Sequence, residues 1–311
     1  MKIFVSVVSF RDPLLLQTVR SIIDNQSGLY EIVVGIFEQT CIEDSLLTLD
    51  KSLTESPNIK YKRIDPEYAD GVVWARAINA MQVTDENFFY QIDSHMLYEK
   101  DWDSYLISDW DKATQKSNSH KTIITANCKS FTMSDDGEPI KEAIDHEISC
   151  NSKYFTFSKR LHMPYAHGEH IMTTGEINEA IHIFAGNFFA PVSWLKDVGY
   201  NTDLFFDGEE QSMVLMTFAA GYTMYHQSQI RCWHFRNTHN YITKHFIDPV
   251  VENKAGQLQA RGFSNWKKYI TNLDKSLLTK YYEYSGLDYI NCVIDERALT
   301  RQIIVPEGAE D

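Results

Sequence analysis

A chain of 311 residues with 43% hydrophobic and 23% charged residues has the composition of a globular protein of one large or two small domains. Its formal net charge of −14 argues against broad, non-specific binding to DNA or RNA, which needs a basic surface. Five dispersed cysteines argue against a disulfide framework and for free thiols in a reducing compartment. No apolar run approaches a membrane span, and Met1 to Val5 enters a strand without the apolar core of a signal peptide, so a soluble, cytoplasmic protein is expected.

Ile3 to Phe10 reads as a buried strand. Asp12-Pro13 then starts a helix, with Asp12 as its N-cap and one apolar face through Leu15, Leu16, Val19, Ile22 and Ile23. Glu31 to Phe37 is a second strand, Ile42 to Leu53 a short helix, Ile59 to Ile64 a half-exposed strand and Gly71 to Met81 a helix. The stretch from Phe88 to Met96, an apolar run that ends abruptly in Asp93-Ser94-His95, closes a β-α-β-α-β-α-β series, the pattern of a mostly parallel sheet with flanking helices.

Three strand ends carry polar groups: Ser9 with Arg11, Glu38 with Gln39, and Asp93 with His95. An open α/β sheet binds its ligand at that edge. Arg11 suits a phosphate or carboxylate, and Glu38 suits the hydroxyls of a ribose or the donors of a base. Asp93 and His95, two apart in extended chain, point to one side and offer the oxygen and nitrogen that a cation such as manganese accepts. The competing reading is a strand-end Asp that caps a turn beside an incidental His, and a three-residue pattern does not choose between them. No G-x-G-x-x-G fingerprint follows the first strand, and no Walker-type phosphate loop appears.

Asp101 to Lys116 is a helix with an aromatic core-facing stripe, and Thr122 to Ala126 a strand. The segment from Asn127 to Ile177 is long, polar and irregular, and a lid or acceptor-binding loop is expected there. Ile181 to Ala190 returns to strand, with Gly186-Asn187 marking a bulge or close backbone approach. Pro191 opens a helix that Gly199 closes. Asp207, Glu209 and Glu210 then flank Gly208 at the head of an amphipathic helix ending at Gly221. Acids there are favoured by the helix dipole alone, but the preceding Phe205-Phe206 sets them beside core, where they suit sugar hydroxyls. Tyr222 to His226 and Ile230 to Phe235 are the last strands, and His234 lies between aromatics, as a core histidine often does. A domain over residues 1–245 and a helical extension over 246–311 are expected, with a frayed polar tail from Arg301.

Five stretches together carry a resemblance: Phe4 to Pro13, Val34 to Gln39, Trp74-Ala75-Arg76-Ala77, Gln91-Ile92-Asp93-Ser94-His95-Met96, and Phe206 to Met213. In this order they resemble the cytoplasmic hydroxyproline N-acetylglucosaminyltransferase family, retaining glycosyltransferases of GT-A fold. The resemblance covers roughly residues 1 to 240. It implies a UDP-sugar donor, best N-acetylglucosamine, a manganese ion and a hydroxyl acceptor such as protein hydroxyproline. It implies Asp93 and His95 as metal ligands with His234 as the third, His226 and His239 fitting less well. It implies Arg76 near the donor phosphate or base, and Asp207, Glu209 and Glu210 as donor-sugar and active-site acids. Ser9, Arg11, Glu38, Asp93, Gly186 and Asn187 complete the expected donor site. The segment from Asn127 to Ile177 and the C-terminal region have no counterpart in the resemblance, which leaves the acceptor open. A hydroxylated DNA base, a glycan, or a non-catalytic nucleotide-sugar-binding module are the alternatives.

Overall fold

A computed structural model describes residues 1–44, 53, 55–144, 148–159, 161–172, 175–236 and 252–300. Its centre is a seven-stranded sheet in the order β12-β6-β11-β4-β1-β2-β3. These strands are β1 (Lys2–Phe10), β2 (Glu31–Gln39), β3 (Ile59–Ile64), β4 (Phe88–Asp93), β6 (Thr122–Thr125), β11 (Asn187–Pro191) and β12 (Thr223–His226). All neighbours pair in parallel except β11, which runs antiparallel to both β4 and β6. Because β11 is reversed, its N-terminal end, with Gly186 just before it, meets the C-terminal end of β4: Asn187 stands opposite Ile92.

The alternation of β1 divides the core. Ile3, Val5 and Val7 face one side, where they pack with Leu15, Val19 and Ile22 of α1 (Leu15–Asp24) and Trp102 and Leu106 of α3 (Trp102–Ser117). Phe4 faces the other side, with Val73 of α2 (Val72–Ala80), Trp194 of α4 (Ser193–Asp197) and Val214 and Leu215 of α5 (Glu209–Ala219). Trp266 of α6 (Glu252–Asn272) and Tyr281 of α7 (Lys275–Ser285) join that same cluster. A short α8 (Glu296–Thr300) ends the described chain. No helix among the described residues is long and apolar enough to cross a membrane.

A second sheet, β5-β13-β7-β8, stands beside the first. It consists of β5 (Met96–Tyr98), β7 (Lys129–Met133), β8 (Pro139–Lys141) and β13 (Cys232–Phe235). The stretch expected as one strand to Met96 therefore breaks at Ser94-His95, where the chain leaves one sheet and enters the other. The segment from Asn127 to Ile177, expected to be irregular, instead supplies β7, β8 and the hairpin of β9 (Ile148–Ser158) and β10 (Met163–Met172), bulged at Tyr165/Ala166. Its polar residues hid it, because such strands are specified by partners far along the chain rather than by their own apolar content. Two smaller expectations also shift. The strand sought over Ile181 to Ala190 is confined to β11, since the Asn187 amide donates to Phe184 O in a turn just before it. Pro191 closes that strand, and α4 begins at Ser193. Ile42–Asp44 is a 3-10 turn, most of the helix expected onward to Leu53 lying outside the described residues. A final strand pair, β14 (Leu287–Asp288) with β15 (Val293–Ile294), precedes α8. The expected boundary at 245, His239 and the polar tail also lie outside the described residues.

Candidate active site

The C-terminal edge of the main sheet gathers the strand-end residues. Val8 pairs with Asp93 and Ser9 with Glu38, so β1, β2 and β4 end side by side. At the bend after β4, the backbone does what extended geometry was expected to do. His234 of β13 pairs in register with Met96, and the Phe235 amide donates to His95 O at 3.0 Å. These backbone ties bring His234 to a cluster with Asp93 and His95. Ligand atoms of the three all lie within 4.8 Å of one another, and no other such group of three or more occurs among the described residues.

His234 Nε2 lies 3.1 Å from Asp93 Oδ2 and 3.1 Å from His95 Nε2. Two atoms bound to one cation at about 2.1 Å and at right angles are separated by about 3 Å, so the spacing fits a shared ion. One carboxylate oxygen and two imidazole nitrogens are the donors that a borderline divalent cation accepts.

The cluster is oriented from outside. Arg76 of α2 is buried, donating through Nη2 to Asp93 Oδ1 at 2.7 Å and through Nη1 to Glu209 Oε2 at 2.5 Å. One helical turn on, Asn79 Nδ2 donates to Ser6 Oγ at 2.8 Å and Gly35 O at 2.9 Å, pinning α2 to β1 and β2. On the far side, Asp12 Oδ2 lies 2.7 Å from His95 Nδ1 and accepts from Ser94 Oγ at 2.6 Å. Asp12 was expected only to cap a helix. The helix starts later than that, at Leu15 with Leu14 in the N-cap position and no side-chain cap; Asp12 Oδ1 accepts the Leu14 amide at 2.9 Å in the turn before it, while Oδ2 holds the histidine.

These contacts set the protonation of the site. Burial pushes the Asp93 carboxyl up, but His234 and Arg76 overcome it and hold it well below the usual carboxylate range. Burial works to lower His95, and Asp12 overcomes it, leaving the imidazole raised. His234 ends lowered, by burial and then by His95 against the pull of Asp93.

The two adjacent glutamates part company. Gly208 takes φ +90 before α5, a left-handed conformation that glycine adopts without cost and that swings the helix head into the site. Glu209 is buried against Arg76, and burial pushes its carboxyl up more than Arg76 pulls it down. Glu210 reaches a cleft also lined by Asp93, His234, Gly186, Asn127 and Arg236. Its Oε1 accepts the Ala185 amide at 3.0 Å, and its Oε2 lies 3.0 Å from His182 Nε2. Burial pushes the Glu210 carboxyl up, and His182 with the Ala185 amide brings it below its ordinary value. Gly186 is a close-approach position, since a Cβ there would stand 2.3 Å from Asp93 Oδ2.

The remaining expected residues are spread more widely. Ser9 Oγ and Gln39 Oε1 are buried without a hydrogen-bond partner at the ends of β1 and β2. Tyr61 donates to Glu38 Oε2 at 2.5 Å, and Arg11 takes φ +46 while its amide donates to Gln39 O. Asn187 borders the cleft, but its amide oxygen accepts from Tyr90 at 2.9 Å and its Nδ2 donates to Ala126 O at 3.1 Å. Asp207 stands apart from the cleft lining and accepts from Gln259 of α6 at 3.3 Å. His226 is enclosed in the core between Thr125 O and Ser152 Oγ. Sequence reading missed Asp12 as a partner of His95, His182 behind Glu210, and Arg236 beside the cleft. Only Arg236, two residues beyond His234, carried a signal in the sequence.

A family model described as Glycosyltransferase (GlcNAc) matches residues 48–245. Among solved structures, the chain is similar to GalNAc-T7 with UDP, GalNAc and Mn2+, at a TM-score of 0.55 and 16% identity, covering 93% of this chain and 55% of that one. It thus spans about half the length of that protein, and the likeness is one of fold. A looser likeness is to S. aureus TarS 1–349 in complex with UDP-GlcNAc, at a TM-score of 0.46 and 13% identity over 96% of this chain and 83% of that one. No curated protein matches in sequence.

Proposed function

Because the chain belongs to the Glycosyltransferase (GlcNAc) family, we propose that it moves N-acetylglucosamine from UDP-GlcNAc to a hydroxyl acceptor, retaining the anomeric configuration. The observation that carries this reading is the convergence of Asp93, His95 and His234 beside the cleft that Glu210 lines. Those three residues would hold a divalent cation, manganese by preference. Such a cation, when bound, supplies positive charge to the departing diphosphate.

The chain's own groups do the rest of the work. Arg76 occupies Asp93 Oδ1 and leaves Oδ2 turned toward His234. Arg236 offers a cation to a phosphate oxygen in a cleft that otherwise carries acids. Ser9, Gln39 and Glu38 offer hydrogen bonds to the base and ribose at the ends of β1 and β2, and Arg11 offers its charge to a phosphate. Gly186 leaves room for the Asp93 carboxylate beside the donor, and Asn187 borders the same cleft. Glu210, kept ionised, accepts a hydrogen bond from a hydroxyl of the donor sugar or of the acceptor, and Asp207 supports the same helix head. In the transfer, the acceptor oxygen bonds to the anomeric carbon as the bond to the diphosphate oxygen breaks. The acceptor proton leaves on that diphosphate from the same face, which requires no protein nucleophile.

The motif resemblance extends the reading to hydroxyproline of a cytoplasmic protein as acceptor. It also favours a catalytic unit over residues 1–245 with a helical extension over 246–311. The test is a UDP-sugar panel with the full chain, with and without manganese, reading UDP release and then candidate acceptors by mass spectrometry. Manganese-dependent turnover of UDP-GlcNAc is expected, lost in Asp93→Ala and weakened in His95→Ala. No release from any donor in either condition sinks the reading.

A further inference from the structure

Asp12 sits in the turn between β1 and α1, two residues ahead of the helix N-cap position at Leu14. Its side chain is 2% exposed and its carboxylate has three partners: the Leu14 amide on Oδ1, and Ser94 Oγ and His95 Nδ1 on Oδ2. A carboxylate only accepts, so His95 meets it with a proton on Nδ1, and the neutral ring then has its lone pair on Nε2. That Nε2 is the atom 3.1 Å from His234 Nε2 in the cluster. His234 has no such support, its Nδ1 being buried without a partner.

We propose that Asp12 is a positioning residue of the metal centre, fixing the tautomer and aim of His95 so that Nε2 is presented to the cation. This rests on the functional reading in one respect, that the cluster holds a divalent cation. The arrangement is the carboxylate–histidine pair by which outer groups orient metal ligands. It makes His95 the nitrogen ligand already set in place before the cation arrives.

Asp12→Asn tests the chemistry while keeping the shape. The Leu14 amide needs an acceptor, so the Asn oxygen stays there and its NH2 faces Ser94 and His95. Ser94 Oγ can accept from it. His95 Nδ1 can meet that donor only by becoming an acceptor, which moves the ring proton to Nε2, the nitrogen a cation needs. Three measurements on the full chain read this: histidine side-chain 15N NMR without metal, free-manganese EPR with UDP present, and thermal unfolding without metal.

The expected result is Nδ1–H on His95 in the wild type and Nε2–H in Asp12→Asn. The manganese dissociation constant should rise about 10- to 100-fold, with unfolding little changed. Ser94→Ala cuts another tie to the same oxygen and should leave manganese affinity as it was. Tight, equal manganese binding in the wild type and Asp12→Asn overturns the proposal alone. So does a loss in Ser94→Ala as large as in Asp12→Asn. A wild type that takes up no manganese sinks the metal reading and this proposal with it. Should Asp12→Asn fail to fold, the wild-type tautomer decides: Nδ1–H supports the proposal and Nε2–H overturns it.

Discussion

Glu209 and Glu210 are neighbours in the chain and serve different surroundings. Glu209 is enclosed and paired with Arg76, which also fixes Asp93, so its charge helps hold three elements together. Glu210 faces the cleft and is held from behind by His182 and the Ala185 amide. Removing one member of a buried ion pair costs about 3–5 kcal/mol, and Asp93 offsets part of that for Arg76. Glu209→Gln is therefore expected to lower the unfolding temperature by several degrees and to reduce manganese-dependent UDP binding with it. Glu210→Gln should keep the unfolding temperature and lose at least about tenfold in turnover, since a hydrogen bond to a charged group contributes about 1.5–3 kcal/mol. Calorimetry beside a UDP-release assay separates the two. If Glu210→Gln turns over normally, the cleft-facing carboxylate is only a helix-head acid.

At the scale of elements, the site depends on close contacts between units far apart in the chain. Gly186, at the mouth of the reversed β11, leaves room for Asp93 at the end of β4. Gly186→Ala would set a methyl 2.3 Å from Asp93 Oδ2, displacing the carboxylate or the strand. Overpacking of this kind costs about 1–3 kcal/mol, so the protein should still fold while manganese-dependent UDP affinity falls. Titration calorimetry checks it, and unchanged affinity removes the close approach from the donor site.

A second junction lies behind the site, where α3 meets the loop after β12. Asp109 accepts the Ser228 amide at 2.8 Å and Ser228 Oγ at 2.5 Å, and burial pushes its carboxyl up to about 6. Between about pH 4 and that value the folded chain keeps a proton the unfolded chain has lost, so stability falls as pH rises through the window. A shift of about two units corresponds to roughly 3 kcal/mol. Asp109→Asn keeps both contacts with Ser228 and carries no charge. Its stability relative to the wild type should climb from pH 4 to pH 7 by about that amount. Denaturant unfolding at the two pH values measures the gap, and a gap independent of pH refutes the burial argument.

For the whole molecule, the C-terminal helices and the site share one apolar body. Trp266 of α6 is fully buried, donates through Nε1 to His162 O at 3.1 Å, and lies so near Gly208 that a Cβ there would be 3.0 Å from its ring. Truncating such a residue to Ala costs about 3–5 kcal/mol. Trp266→Ala is thus expected to destabilise the entire fold, in one cooperative transition, and to lower transfer by loosening the turn that aims Glu209 and Glu210. Scanning calorimetry is the check. Two separate transitions, only the weaker one shifted, would instead mark 246–311 as a unit folding on its own.

The sequence by itself determined β1 to β4 and the helices α1 and α2, because buried parallel strands and amphipathic helices announce themselves locally. It also pointed to Asp93 and His95 as neighbours at a strand end, and, through its motifs, to glycosyl transfer. Only the tertiary structure decided how these residues meet. Asp93 and His95 converge because the chain bends between two sheets, and His234 reaches them through a register with Met96 on a strand over a hundred residues away. Asp12, His182 and Arg76 gain their meaning from partners brought together by sheet order and helix docking. The polar segment from Asn127 to Ile177 becomes strands for the same reason. Local pattern reports what each residue prefers; hydrogen bonds and ion pairs between distant residues depend on which elements become neighbours, and packing alone sets that.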